Sequence, residues 1–140
     1  MNNLRNIGTL LRYLWAAPAS AIGLLIAFPA LALGLARIAP HTGILEVTLV
    51  GRLWRMRGKP MALPFVAITF GHVVIAQSRR TQRLVLAHER VHVAQYERLG
   101  PLFLLAYPLE SLLQHLRGGR PYLDNRFERE ARRLSQHHLA

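Results

Sequence analysis

Three kinds of hydrophobic patterning follow one another along the chain. Residues 13–36, Tyr13 through Ala36, form an apolar run with no charged side chain, and Arg37 closes it. Such a run exceeds the ~20 residues that a helix needs to cross a bilayer. Tyr13 and Trp15 at its border fit the aromatic belt of a membrane–water interface. The run predicts a single-pass transmembrane anchor at 13–36, after a short polar start at 1–12 that carries Arg5 and Arg12. Pro18, Gly23, Pro29 and Gly34 are compatible with a re-entrant hairpin instead. The Ala-Leu-Ala ending at Ala32 suits a cleaved signal peptide, but the run is long for one, which favours a retained anchor.

From about 43 to 78 the apolar positions become β-branched and aromatic. Ile44–Val50 and Phe65–Phe70 read as strands bounded by Gly and Pro, and Val73–Ala76 extends the second or pairs with it across Gly71-His72. Between them Arg52, Arg55, Arg57 and Lys59 form a basic hairpin or loop, suited to water or to lipid phosphates beside an anchor. The remaining pattern has helical spacing. One helix runs from about Thr81 to Leu99 and stops at Gly100-Pro101. A strongly apolar helix, Leu102 to Leu116, contains Pro108. After the turn Gly118-Gly119-Arg120-Pro121, Asp124 or Asn125 caps a short terminal helix. The expectation is an α+β fold: an N-terminal transmembrane helix, a small β-sheet and three further helices, with one folded domain at 43–140.

The first of these three helices carries His88-Glu89-Arg90-Val91-His92, an HExxH motif. On a helix, positions i and i+4 stack one turn apart, so both imidazoles can reach one metal ion. Glu89, next to the first histidine, suits a general base acting on a metal-activated water rather than a ligand. Two histidines leave a catalytic zinc short of its usual three protein ligands. Acidic residues number only 7, yet Glu128 and Glu130 sit together on the terminal helix, which is far enough along the chain to fold back on the motif. Two residues apart is about 200° around a helix, so one metal takes one of them. An apolar face drawn through Phe127, Ala131 and Leu134 leans towards Glu130.

With these residues in view, the chain resembles the gluzincin class of metallopeptidases, in particular its small membrane-associated members. In that class HExxH is followed by a helix bearing a Glu ligand in an ExxA pattern, often ExxAD. Glu128 with Ala131 matches ExxA, and Arg132 stands where the Asp is often found. The resemblance covers roughly residues 70 to 133 and selects Glu128 as the third ligand. It implies one Zn2+ per chain on His88, His92 and Glu128, with Glu89 as catalytic base.

Composition narrows the setting. A net charge of +11 and a pI near 11.6 accompany 51% hydrophobic residues and a mean hydropathy of +0.18. Because the Arg residues are spread over several segments, this combination suits an anionic membrane surface, and no nucleic-acid partner is expected. With no Cys, disulfides and Cys-ligated metals are excluded. More basic residues follow the apolar run than precede it, which leans the C-terminal domain to the cytoplasmic side.

Further residues have candidate roles. His72, Tyr96, Tyr107 and Tyr122 are possible contacts to a substrate or an oxyanion. Gln95 and Asn125 are placed to orient ligands, while His115, His137 and His138 read as surface residues. The sequence thus leads to a membrane-anchored zinc metallopeptidase acting on a peptide or protein substrate. The alternative is a non-catalytic membrane protein with a structural zinc site or none. Glu89 favours the enzyme, because a structural site has no use for a base.

Overall fold

The structure, a computed structural model, describes residues 2–50 and 66–136. The basic stretch Arg52, Arg55, Arg57 and Lys59 lies outside the described residues, as do His137 and His138. The architecture is mixed α+β. It begins with helix α1 (Asn2–Ala32), strands β1 (Ala36–His41) and β2 (Ile44–Leu49), and strands β3 (Ala67–Phe70) and β4 (Val73–Ala76). Helices α2 (Arg79–Leu99), α3 (Phe103–Leu116) and α4 (Arg126–Gln136) follow, with a 3-10 turn (Gly100–Leu102) joining α2 to α3.

Helix α1 runs unbroken through Pro18 and Pro29. It ends where the chain reaches a residue that tolerates positive φ. Gly34 has φ +68°, its N–H reaches the Leu31 carbonyl, and the Leu35 N–H reaches that of Ala30. This paired pattern satisfies the last carbonyls of the helix. Strand β1 then starts at Ala36 and turns into β2 through Thr42 (φ 38°) and Gly43 (φ 80°). Two consecutive positive-φ residues are what a tight hairpin with right-handed strand twist requires. Strand β1 has no counterpart among the expected strands. It is exposed along nearly all its length and contains Pro40. An edge strand of this kind shows neither alternation nor an unbroken apolar run.

The sheet order is β1-β2-β4-β3. The hairpins β1–β2 and β3–β4 are antiparallel, and β2 runs parallel to β4 with Leu45 opposite Val73 and Val47 opposite Ile75. Val73–Ala76 therefore pairs with the preceding strand rather than prolonging it. Strand alternation sends Val47, Val73 and Ile75 to one face, where they pack with Ala27, Leu24 and Leu31 of α1. It sends Ile44 and Val74 to the other face, against Val93 and Leu86 of α2. The sheet is thus covered by α1 on one side and α2 on the other.

The side of α1 that meets the domain is made of small residues. Ala16, Ala19, Gly23 and Ala27 are buried, at helical spacing. Small side chains let backbones approach closely. A Cβ on Gly23 would stand 2.8 Å from Phe70 Cβ, and one on Gly71 would stand 2.6 Å from the Ser20 backbone nitrogen. The His72 N–H donates to Ser20 Oγ at 2.9 Å, tying the β3–β4 turn to the helix.

Gly71 and Gly118 separate backbone strain from helix docking. Both have positive φ, yet a Cβ at Gly118 meets nothing within 4 Å. Gly118→Ala should cost about 1 kcal/mol from the left-handed backbone alone. Gly71→Ala should cost about 2–4 kcal/mol, because it also pushes α1 off the turn. Denaturant unfolding in detergent measures both, and equal losses would refute the tight docking of α1.

Candidate functional site

The HExxH residues lie on α2 and the third acidic group arrives on α4. Asn125 starts α4 by accepting the Phe127 N–H on Oδ1 at 2.9 Å, while its Nδ2 donates to the Tyr107 carbonyl and to Ser111 Oγ. This one amide therefore caps α4 and fixes it to α3. Asp124 instead accepts the Arg120 N–H and guanidinium. With α4 so placed, Phe127, Glu128 and Ala131 are buried against the rest of the protein.

Glu128 meets both histidines. Its Oε2 is 3.1 Å from His88 Nε2, its Oε1 is 3.2 Å from His92 Nε2, and the two Nε2 atoms are 3.1 Å apart. One ligand atom from each of the three residues falls within 4.8 Å of the others. Zinc held tetrahedrally at ~2.0–2.1 Å needs ligand atoms about 3.3 Å apart, so the donor set fits the ion. Glu128 Oε2 is buried and makes no hydrogen bond, although His88 Nε2 faces it at 3.1 Å. Lone pairs aimed at a common point leave that signature.

The protonation of His92 follows from its neighbour. Gln95, fully buried, donates from Nε2 to the Phe127 carbonyl at 3.1 Å and to Glu130 Oε2 at 2.8 Å. Both of these partners only accept, so the amide orientation is fixed and Oε1 must accept from His92 Nδ1–H at 2.8 Å. In the neutral ring this leaves Nε2 with its lone pair facing His88 and Glu128, the tautomer a metal ligand requires.

Glu130 is accounted for by the same contacts. It is held by Gln95 and by Arg98 Nη2 at 2.7 Å and does not face the histidines. The apolar face drawn from the sequence misleads because Leu134 is exposed, whereas Glu128 is buried.

Charge at the site is tightly coupled. Burial alone would raise the Glu128 pKa, but the His88 and His92 imidazoles and the Tyr107 hydroxyl beside it outweigh burial and hold the carboxyl well below its usual range. Burial opposes a charged His92, yet Glu128 and Gln95 raise its pKa above the ordinary value. Protons would therefore compete with a metal at His92, and the affinity of such a site would fall on acidification.

Glu89 is buried and outside the triad, and its Oε2 accepts from Thr69 Oγ1 at 2.7 Å. Register explains the pairing. On β3, Ile68 and Phe70 face α1, so Thr69 between them faces α2. A lone hydroxyl in an otherwise apolar strand was the signal available in the sequence. A cavity of about 310 Å³ opens over these groups, lined by Ala67–Phe70 of β3, by His88, Glu89, His92 and Tyr96 of α2, by Phe103, Leu104, Tyr107 and Pro108 of α3, and by Tyr122 and Glu128.

The other expected contacts separate. Tyr107 donates its hydroxyl to Glu128 Oε1 at 2.7 Å, so it steadies the carboxylate, and burial foremost pushes its pKa up. Tyr96 is buried and packs edge-on against Phe103 at 4.6 Å. Tyr122 stands at the cavity mouth, 55% exposed, with a pKa pushed up to about 12 by partial burial and then by Glu128. His72 is not brought to the site. It lies in the β3–β4 turn, stacked on Tyr13 at 4.1 Å with Nε2 3.1 Å from Glu97. Arg132 sets a guanidinium nitrogen 3.8 Å from Glu128 Oε2, so this position brings a cation to the ligand where the resemblance often has an acid.

Comparison with protein-family models, curated proteins and solved structures returns no match for this chain. Residue chemistry and geometry therefore carry the functional argument alone.

The hydrogen-bond scheme makes two of these roles measurable. Gln95→Leu removes the acceptor that fixes the His92 tautomer and should weaken zinc binding about 10–100-fold in a chelator competition. Glu128→Gln should lower occupancy further, and Glu130→Gln much less. A Glu130→Gln loss equal to that of Glu128→Gln would overturn the assignment of the third ligand.

Proposed function

We propose that this chain is a membrane-associated zinc metallopeptidase that hydrolyses a peptide bond with a metal-activated water. The observation that carries the reading is the convergence of His88, His92 and Glu128 within 4.8 Å, in the cavity that also holds Glu89. Zinc, when bound, polarises a carbonyl oxygen and lowers the pKa of a water towards neutrality.

The protein's own groups account for the rest. Thr69 fixes the Glu89 carboxylate through Oε2, which keeps it oriented in the cavity. Glu89 accepts the proton of the attacking water and returns it to the leaving nitrogen, a transfer that contributes roughly 10²–10⁴ in rate. Tyr107 and Gln95 hold Glu128 and His92 in their ligand orientations. Tyr122 at the mouth is the tyrosine best located to donate to the carbonyl oxygen. Strand β3 forms one wall of the cavity and, among the described residues, is paired on one side only. An extended peptide would add to its open edge, with main-chain hydrogen bonds giving affinity without side-chain selectivity.

Helix α1 has one stretch, Asn6–Ala32, long and apolar enough to cross a membrane. We assign the catalytic domain to the cytoplasmic side, because the excess of Arg and Lys after this helix suits the anionic cytoplasmic leaflet whether or not α1 crosses the bilayer. A reporter fused after Ala140 tests that assignment, and export of the reporter would reverse it.

The central test is metal against turnover. The purified protein should carry about one zinc per chain. His88→Ala and His92→Ala should remove it. Glu89→Gln should keep the zinc and lose cleavage of a peptide library by at least about 100-fold. Release of zinc by Glu89→Gln would sink the division into ligands and base. A zinc-loaded, folded wild-type chain without any cleavage would favour the structural alternative.

A further inference from the structure

The helices of the fold are amphipathic in two opposite senses. Helix α1 turns Ala16, Ala19, Gly23 and Ala27 inward and leaves Leu14, Ile22, Leu25 and Phe28 outward. In a water-facing layer helix the large apolar residues point inward. Helix α3 repeats the inversion in part. Phe103, Leu104 and Tyr107 face the cavity, while Leu105, Leu109, Leu112 and Leu116 form an exposed row. Leu25 is 72% exposed and Leu109 62%. By contrast, α2 and α4 expose Arg83, Arg98, Arg129 and Arg133. The two apolar rows join where the Trp15 ring lies on Gly100, next to exposed Leu102. Exposed Arg37 follows α1 and exposed Arg117 follows α3, so a cation borders each row.

The docking of α1 decides how this surface meets lipid. The helix is attached from Tyr13, whose hydroxyl donates to the Gly43 carbonyl, to Leu31, which packs on the sheet core. That attached length, roughly 27 Å at 1.5 Å per residue, is nearly the whole hydrocarbon thickness of ~30 Å. If α1 crossed the bilayer in this arrangement, the sheet would enter the hydrocarbon with it. Among the described residues β1 and β3 each have one strand partner, and open sheet edges do not occur in lipid.

We propose that α1 and α3 together form one lipid-facing platform that lies along an anionic bilayer surface, with α1 in the interface rather than across it. The occupant of the apolar rows is the bilayer, and the Arg residues at their ends meet its phosphates. Helix α3 is then the partition between lipid and the cavity. This inference deepens the membrane residence proposed above and is independent of the zinc chemistry.

The absence of cysteine permits single-cysteine labelling of the full chain. An environment-sensitive dye is placed at Leu14, Ile22, Leu33, Leu109 or Arg129, in vesicles of phosphatidylcholine and phosphatidylglycerol, and a wild-type circular dichroism spectrum with cooperative unfolding identifies folded variants. The expected result is blue-shifted emission at the four leucine and isoleucine sites. All four should lose intensity alike to a quencher near the headgroups and little to one at the bilayer centre, while Arg129 stays open to an aqueous quencher. Overturning results are a dye at Ile22 quenched best from the bilayer centre with Leu109 in water, which is a crossing helix, and Leu109 shielded from both lipid and water, which is contact with a second copy. A chain that does not join vesicles at all would remove the membrane residence itself.

Discussion

The buried amide of Gln95 is the interaction on which the site most depends. Its three hydrogen bonds run to His92 on α2 and to Phe127 and Glu130 on α4. A fully buried amide left without partners costs several kcal/mol on water-to-alkane scales. The sequence position of α4 is therefore not free: sliding it by one residue would strand the amide and withdraw Glu128 from the histidines together. Asn125 supplies a second constraint from the α3 side, so the carboxylate is held between two buried amides. Glu128, on a short terminal helix, is positioned by polar locks more than by area of apolar contact.

Much of this was legible in the sequence, for reasons that can be stated. The i, i+4 histidines and the Gly100-Pro101 stop are local signals, and the observed α2 ends at Leu99 as expected. The ExxA resemblance selected Glu128, which faces the histidines, whereas apolar periodicity favoured Glu130. Periodicity failed because it counted Leu134 as core. In a chain whose exterior is partly apolar, a leucine does not report the inside. Strand β1 was missed through the same weakness, since an exposed edge strand with Pro40 buries only Ala36. The role given to His72 depended on tertiary placement, and a turn residue two positions past Phe70 has no periodicity from which to read its direction.

The inversion of small and large residues on α1 also explains why the apolar run resembled a free-standing anchor. Hydropathy measures composition and is blind to which face is docked. The run is apolar all round, but its sides do different things: Ala27, Leu24 and Leu31 cover one face of the sheet and Ala16 and Ala19 pack on Tyr96, Phe103 and Phe127, while Leu14, Ile22, Leu25 and Phe28 are exposed. Without α1, Val47, Val73 and Ile75 would lose their cover, at ~25 cal/mol for every Å² of apolar surface returned to water. The helix therefore belongs to the core of the fold as much as to its attachment.

Unsatisfied buried polar atoms gather beside the triad. Among the described residues, the buried side-chain atoms without a hydrogen-bond partner are Gln82 Nε2, Glu128 Oε2 and Arg132 Nη1. Two of them lie one turn apart on α4 at the triad. Natural folds satisfy nearly all buried polar atoms, so orphans concentrated at one place mark a site adapted to something besides folding. A cation accepted by Glu128 Oε2 would remove the larger of these debts, because an unpartnered carboxylate oxygen is costlier to bury than one N–H of a guanidinium that still donates to the Leu123 carbonyl. Were a metal bound there, its binding and the stability of α4 would be coupled, because the helix that carries Glu128 would gain most from the ion.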